Sequence, residues 1–468
     1  MFRFRTLASS SLFRRFGGAS LVAASAACIV ACSGADAGKN NAAVTGSQGG
    51  ADARFFLPTG EPDNTSAPRI EIDAKGTVHA IYPAYAGGDA YYAVCAEGCA
   101  KPDDVKVVHL RTEGTVANAM LALDAEGRPR VLLSTFAHVY YASCDEGCDS
   151  EGGWTTTDII KHDNDREVTG EAFTLDPQGR PRFLMHTYRA YLGIGQKTPE
   201  TLMVACDADC TVKNNWRQKH IANQMWEGGA LRFDKNGGAH VATVATGDGA
   251  QQLGGYLYCP KDCEKEASWA PVGLGKAFES ETEAVRMKPT ISMELTQAGT
   301  PRILFMAKDD AGKKNIMYFA CDSNCTAESG SAWTAMQLSD HAQLGAGLDL
   351  ALDAQDHPRF VYTLGYNIVF GRCDEAHCES AGDGWKLTKV EAGSDMPPDQ
   401  IFLYPNCTVG AWFLHGPSLA LTRDGKARVG YQARDISGGV TRPDPTKGSC
   451  KAGTDMTFAR LALMSHFD

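Results

Sequence analysis

Two short strings in this 468-residue chain bring together side chains that can do chemistry. His162, Asp163, Asp165 and Arg166 stand in KHDNDRE, and His186, Tyr188, Arg189 and Tyr191 in MHTYRAY. Gln224, Trp226, Arg286, His341, Trp412, His415, Arg434 and Asp435 are of the same chemical types. Aromatic rings beside histidine, arginine and carboxylates suit sugars or anionic oligomers, since a ring stacks on an apolar face while the polar groups read hydroxyls or carboxylates. The same set could also act in catalysis. His186 or Tyr188 would be a general base, with Arg189 and Arg166 neutralising a substrate carboxylate. A hydrolytic mechanism would instead need two carboxylates at a defined separation. No Ser/His/Asp order, HExxH, P-loop or EF-hand loop is present, and HDNDRE lacks the EF-hand glycine and spacing. Neither a metal nor a cofactor is expected.

The sixteen cysteines are the second chemical resource. C-x3-C occurs at Cys95/Cys99, Cys144/Cys148, Cys206/Cys210, Cys259/Cys263 and Cys321/Cys325, and a sixth pair, Cys373/Cys378, has one more residue between. Such a pair is either half of a zinc site, which requires two pairs to converge on one ion, or a local disulfide. Trp154, Trp216, Trp269, Trp333 and Trp385 follow the last five pairs by six to eight residues. The choice depends on where the elements of the fold put the pairs.

Those elements repeat about every fifty residues. Seven segments align on one turn: IEIDAKGTVHAIY, LALDAEGRPRVLL, FTLDPQGRPRFLM, LRFDKNGGAHVAT, MELTQAGTPRILF, LALDAQDHPRFVY and LALTRDGKARVGY, beginning at residues 70, 121, 173, 231, 293, 350 and 419. Each has two alternating apolar runs around a four-residue turn of D-x-x-G type, which is the pattern of a β-hairpin. Gly76, Gly127, Gly179, Gly237, Gly299 and Gly425 occupy the turn position, with Asp356 in the sixth repeat. These residue types tolerate the positive φ such a turn needs. A third strand runs into the first cysteine of each pair and a fourth starts at the tryptophan. Seven four-stranded units without helical periodicity predict an all-β, seven-bladed β-propeller over residues 54–468. The D-x-x-G hairpins resemble the repeats of sialidase-like propellers in architecture only. The S-x-D-x-G-x-T-W Asp box of sialidases is absent, so the resemblance implies no sialidase activity.

With strands A to D in each blade, the A–B and C–D turns share one face of the disc, hereafter the turn face. The B–C loops and the D–A crossovers between blades share the other, the loop face. Each cysteine pair then sits in its own C–D turn at the rim, too far from the others to share a metal, which favours disulfides. Cys407 and Cys450 remain once the six pairs and Cys28 and Cys32 are set aside. Cys450 lies 25 residues after Gly425, within the 17–27 range of the other repeats, so it is expected at the first-cysteine position of blade seven, paired with Cys407. Length variation collects in the loop face, where the second-cysteine-to-next-turn distances run from 27 to 47 residues. Variable loops on a rigid scaffold are where recognition usually sits. His162, Arg166, His186, Tyr188, Arg189, Trp226, Arg286 and His415 are the binding candidates on that face. His240 and His357, near A–B turns, are expected to be structural.

The N-terminus carries an address. Arg3, Arg5, Arg14 and Arg15 precede a short apolar run, Ala19 to Ala31, of secretory length. Ile29-Val30-Ala31-Cys32 resembles the lipobox of bacterial lipoproteins, which implies a signal peptide over 1–31, lipidation at Cys32, and an outer-membrane or cell-surface location. Residues 32–53, small and polar, read as a flexible tether. The formal charge is −11, or −15 without the four leader arginines. Such a surface repels nucleic acid and anionic headgroups, so neither is an expected partner and the lipid is the only membrane contact. The expected protein is a monomeric lipid-anchored binding or adhesion module for a glycan or protein ligand. The alternative is a propeller enzyme acting on polysaccharide, a lyase or a glycoside hydrolase. Ring closure is expected to use residues 54–57 as an added strand beside 457–464, burying one or two of Phe55, Phe56 and Leu57.

Overall fold

The computed structural model describes residues 51–59, 64–84, 88–188, 198–246, 253–276, 290–308, 314–327, 332–339, 344–375, 377–380, 384–396, 407–408, 412–435, 442–443 and 457–465. Cys32, Arg189, Tyr191, Arg286, His341 and Cys450 lie outside them. Among the described residues there is no α-helix. The alternating segments pair into seven antiparallel sheets, one per repeat, and each is a blade of four strands. In the third blade strand A is divided into Arg166–Glu167 and Phe173–Leu175, both lying on Pro181–Thr187. The A strands of successive blades touch one another, and that of blade seven (Trp412–Leu421) returns to that of blade one (Arg69–Ile72). The protein is a seven-bladed β-propeller whose A strands surround the axis.

Each blade is covered on both sides, which is why its strands are apolar on both. One cluster joins Ile81, Tyr92 and Val108 of the first blade to Val116, Leu133 and Ala142 of the second, and similar clusters fill the other gaps. The D-x-x-G turns are built as the sequence implies. Asp73 Oδ1 accepts the backbone N–H groups of Lys75 and Thr77 at 2.8 and 2.9 Å, and Gly76 has φ +82°. Asp356 takes the corresponding position with φ +63°.

All six local cysteine pairs are disulfides. The tryptophans have a double role. The indole N–H of Trp154 donates to the Cys148 carbonyl at 3.1 Å, and Trp216, Trp269, Trp333 and Trp385 repeat this on Cys210, Cys263, Cys325 and Cys378. Their rings then pack on the preceding blade, Trp154 on Tyr92 with centroids 4.6 Å apart, Trp333 on Tyr256 and Trp385 on Tyr318. An arginine on strand B ties the two turns of a blade together. Arg359 donates to the Cys373 carbonyl at 2.6 Å and to Asp353 and Asp374 at 2.8 and 2.7 Å. Arg130 and Arg182 make the same bracket, and Arg302 part of it. These charge-assisted bonds fix the turn face.

The ring closes through both termini. Ala53–Phe56 pairs antiparallel with Thr457–Met464, Phe55 opposite Leu461, as the outermost strand of blade seven. Phe55, Phe56 and Leu57 are all buried, one more than expected. This closure corrects the placing of Cys450. Strand C of blade seven is Thr457–Met464 and strand D comes from the N-terminus, so that blade has no covalent C–D turn to staple. Arg428 donates to the Met464 carbonyl, which therefore holds the first-cysteine position. Cys407 begins a two-residue strand that pairs with Arg442–Pro443. The expected Cys407–Cys450 bond lies outside the described residues.

Candidate functional site

The two faces differ in chemistry. On the loop face, four of the candidates gather where blades two and three meet. Arg166 and Glu167 are held by pairing with Thr187 and His186. The Arg166 guanidinium donates to Glu200 and, at 3.2 Å, to Thr187 Oγ1. Tyr188 is fixed by its backbone N–H on the Asp165 carbonyl. Arg166, Glu167, Thr169 and Tyr188, with Asn118, Asn164 and Phe136, line a small cleft. His162 is buried beside it, Nδ1 3.9 Å from Asp165. Burial lowers the pKa of His162, and the Asp165 charge only partly offsets this.

His186 lies beneath the cleft with only 1% of its surface exposed. Its Nδ1 faces the Thr187 carbonyl at 3.0 Å and its Nε2 the Thr169 hydroxyl at 3.0 Å. A carbonyl only accepts, so Nδ1 carries hydrogen and Nε2 takes the Thr169 proton. Thr169 Oγ1 in turn accepts the Gly228 N–H of the next blade at 2.9 Å. The imidazole therefore spends both nitrogens within blade three, and the Thr169 hydroxyl carries the contact on to blade four.

Trp226 and His415 stand apart from this group. Trp226 is buried edge-on to Trp269 with centroids 5.4 Å apart. His415 is buried in blade seven against Phe413, and Trp412 packs on Phe56 and Phe458. Among the described residues, the indole N–H groups of Trp226 and Trp412 and the hydroxyls of Thr290 and Thr363 meet no hydrogen-bond partner. Trp226 and Trp412 stand at the start of A strands, Thr290 just before one, and Thr363 near the end of strand B of blade six. Arg189 and Arg286 lie outside the described residues. Two aromatic side chains among the described residues are exposed, Phe136 at 44% and Tyr366 at 59%, and both stand on B–C turns of the loop face, in blades two and six.

On the turn face, the D-x-x-G hairpins surround the mouth of an axial cavity of about 850 Å³ walled by all seven A strands. Its charged groups were not singled out in the sequence. Glu171 is carried to the axis by an unusual contact. Gly170, with φ +67°, lets the chain press against Gly228 and Gly229, where any Cβ would come within 2.6 Å of backbone. Glu171 then donates its N–H to the Gly229 carbonyl at 2.7 Å. The Glu171 carboxylate accepts from Arg232 at 3.1 Å and from the Ser292 hydroxyl, which also reaches Asp349 at 3.0 Å. Arg232 also donates to Glu294 at 2.7 Å, and Arg69 lies 3.8 Å from Glu171.

Burial raises the Asp349 pKa well above the usual carboxylate range, and the neighbouring Glu171 charge adds to it. Burial likewise raises Glu294, against the pull of Arg232. Glu71 presents an exposed side chain to the cavity yet is walled in by protein. That confinement pushes its pKa up to about 7, with Arg232 pulling down and Glu294 and Glu171 pushing further up. His240 and His357 sit outside this ring at their turns. His240 hydrogen-bonds to Tyr256 at 2.7 Å and lies 3.4 Å from Asp234, while His357 lies 3.3 Å from Asp353.

No protein-family model matches the chain, and no curated protein matches it. Solved structures similar to it include a polysaccharide lyase (10% identity, 86% of this chain and 90% of that one, TM-score 0.48). A protein of unknown function from Dyadobacter fermentans matches at 10% identity (88% and 98%, TM-score 0.43), and a fungal alcohol oxidase in complex with copper at 11% (89% and 76%, TM-score 0.46). At such identities these matches carry no activity to this chain.

Proposed function

We propose that the protein is an exported module, anchored by lipid at Cys32 at the outer membrane or cell surface, that works as a monomer and binds an extended glycan across its loop face. The observation that carries this reading is the position of the two exposed aromatic rings. Phe136 and Tyr366 both stand on B–C turns, in blades three steps apart around the ring, so a polymer lying across the face would meet both. An exposed ring is costly to a soluble surface and useful to a sugar, whose apolar face it covers. The polar cleft beside Phe136, with Arg166, Glu167 and Asn118, supplies groups that read hydroxyls or carboxylates. The six disulfides support an oxidising, extracytoplasmic address, and the rigid turn face supports a scaffold role. The test is retention of the purified chain on a panel of immobilised polysaccharides, with the eluate scored for unsaturated products. Retention that is lost in Phe136→Ala/Tyr366→Ala, with no cleavage, is the expected result. Unsaturated products would make the protein a lyase instead, and retention indifferent to both rings would remove the loop-face reading.

A further inference from the structure

The axial cavity faces away from the loop face and has a charge inventory of its own. Four carboxyl groups, Glu71, Glu171, Glu294 and Asp349, line it on or beside the A strands together with the guanidiniums of Arg69 and Arg232, while Asp73, Asp124, Asp353, Asp356 and Arg423 line its mouth on the turns. Three of the four carboxyls are already engaged. Glu294 and Glu171 hold Arg232, and Glu171 also has Arg69 nearby. Asp349 accepts the backbone N–H groups of Leu350 and Leu419, both at 2.8 Å, and burial pushes its carboxyl toward the protonated form. Glu71 is left over. Among the described residues its carboxylate has no hydrogen bond and no salt bridge.

Glu71 is thus the inner-wall carboxyl without an ion pair, and its side chain is exposed to the cavity. Of the other walls, the blade-seven turn brings one further cation to the lining, Arg423, at the rim. Blade two contributes Ala122 opposite, with Asp124 already bound by Arg128 and Arg130. Blade seven also offers the Ser418 hydroxyl, which accepts the Ile70 N–H. A divalent metal is a poor fit, because among the described residues no three carboxylate, histidine or cysteine groups converge to hold one. The cavity is of a size that takes a small organic molecule.

We infer that the axial cavity is a binding site for an organic monocation, a small molecule or chain end bearing one primary ammonium or guanidinium group, with Glu71 as its counter-charge. The site lies on the opposite face from the proposed glycan surface and does not depend on it. Its affinity falls as Glu71 takes up a proton. Arg69 and Arg232 are the cations that face Glu71 from the inner walls, and Glu294 and Asp349, both raised by burial, share the cavity with it. A carboxyl centred at about 7 gives ~10-fold tighter binding at pH 8 than at pH 6.

The probes are n-butylammonium and methylguanidinium, titrated into the full chain and followed by ligand-observed NMR, with calcium and acetate as comparisons. The expected result is binding of at least one monocation at pH 8, weakened ~10-fold or more in Glu71→Gln. A second variant, Ala122→Arg, places a guanidinium in the neighbouring repeat and should abolish binding while leaving Glu71 in place. Thermal unfolding shows whether both variants are folded. No monocation binding at pH 8, binding unchanged in both folded variants, or calcium bound in preference would each overturn the assignment.

Discussion

Removing the N-terminal strand should loosen the whole ring, because that strand forms a backbone ladder joining the two ends of the chain in blade seven. Its side chains do the packing. Phe56 lies against Phe458 with centroids 5.3 Å apart, against Trp412 at 5.9 Å, and under the Arg460 guanidinium at 4.7 Å. Arg460 is itself buried and held to Glu391 at 2.7 and 2.6 Å, so losing Phe56 would also open one side of a buried ion pair. Truncating a buried phenylalanine to alanine costs about 3–5 kcal/mol. Losing Phe55, Phe56 and Leu57 together removes about 5–9 kcal/mol of burial, an upper bound because the unfolded chain is not fully extended. Unfolding entropy near 2.1 cal/mol/K per residue makes each kcal/mol worth about 1 °C for a ring of roughly 400 residues. Phe56→Ala should therefore lower the melting temperature by about 3–5 °C, and a chain starting at residue 59 by about 5–9 °C, relative to one starting at residue 51. Scanning calorimetry on the three proteins is the assay. Equal melting temperatures for the two truncations would show that the ring holds without its N-terminal strand.

Peptide mapping without reduction should recover the six local disulfides and test whether Cys407 pairs with Cys450. Cys144→Ala/Cys148→Ala should cost about 2 kcal/mol, the loop-entropy value for so small a ring, read as a melting shift of about 2 °C. Gly170→Ala should destabilise far more than Gly179→Ala, by comparison of melting temperatures. Both have positive φ, +67° and +73°, but only at Gly170 does a Cβ run into neighbouring backbone. Glu71 has a pKa raised in the folded state from 4.5 to about 7, so the native protein is favoured below the lower value and loses that advantage as pH rises through about 7. The melting temperature of Glu71→Gln minus that of the parent should accordingly be more positive at pH 8 than at pH 5, and a difference constant with pH would contradict the assigned shift.

The parts of this fold that could be read from sequence are those whose partners are close in the chain. Asp73 caps its own turn through Lys75 and Thr77, Cys95 meets Cys99, and Trp154 reaches back to Cys148, all within a few residues, so each repeat announces itself. The added strand at Ala53–Phe56 was legible for a different reason: an apolar run beyond a polar tether had no place in blade one. The axial charges were not legible, because Arg232 meets Glu294 and Glu171 only after sixty residues of chain have wound round the ring. A trace exists in the repeats. Two positions before the residue that opens the turn (Asp73 in the first repeat), the second, sixth and seventh repeats have Ala122, Ala351 and Ala420, whereas the first, fourth and fifth have Glu71, Arg232 and Glu294. Charges replacing alanine on an inner strand point to the axis. The loop-face candidates were chosen by residue type, which cannot separate His186, folded into the joint between blades, from Arg166 at the lip of the cleft. The spacing that puts Cys450 at the first-cysteine position carries no sign that blade seven takes its outer strand from the other end of the chain.

Hydrogen exchange on the full chain in the presence of a retained polysaccharide reads directly whether recognition belongs to the loop face. Protection is expected in the peptides carrying the Phe136 and Tyr366 turns and in Arg166–Glu167, with the D-x-x-G turns unchanged. Protection confined to the D-x-x-G turns around the axial cavity, with the B–C turns exchanging as in the free protein, would contradict it.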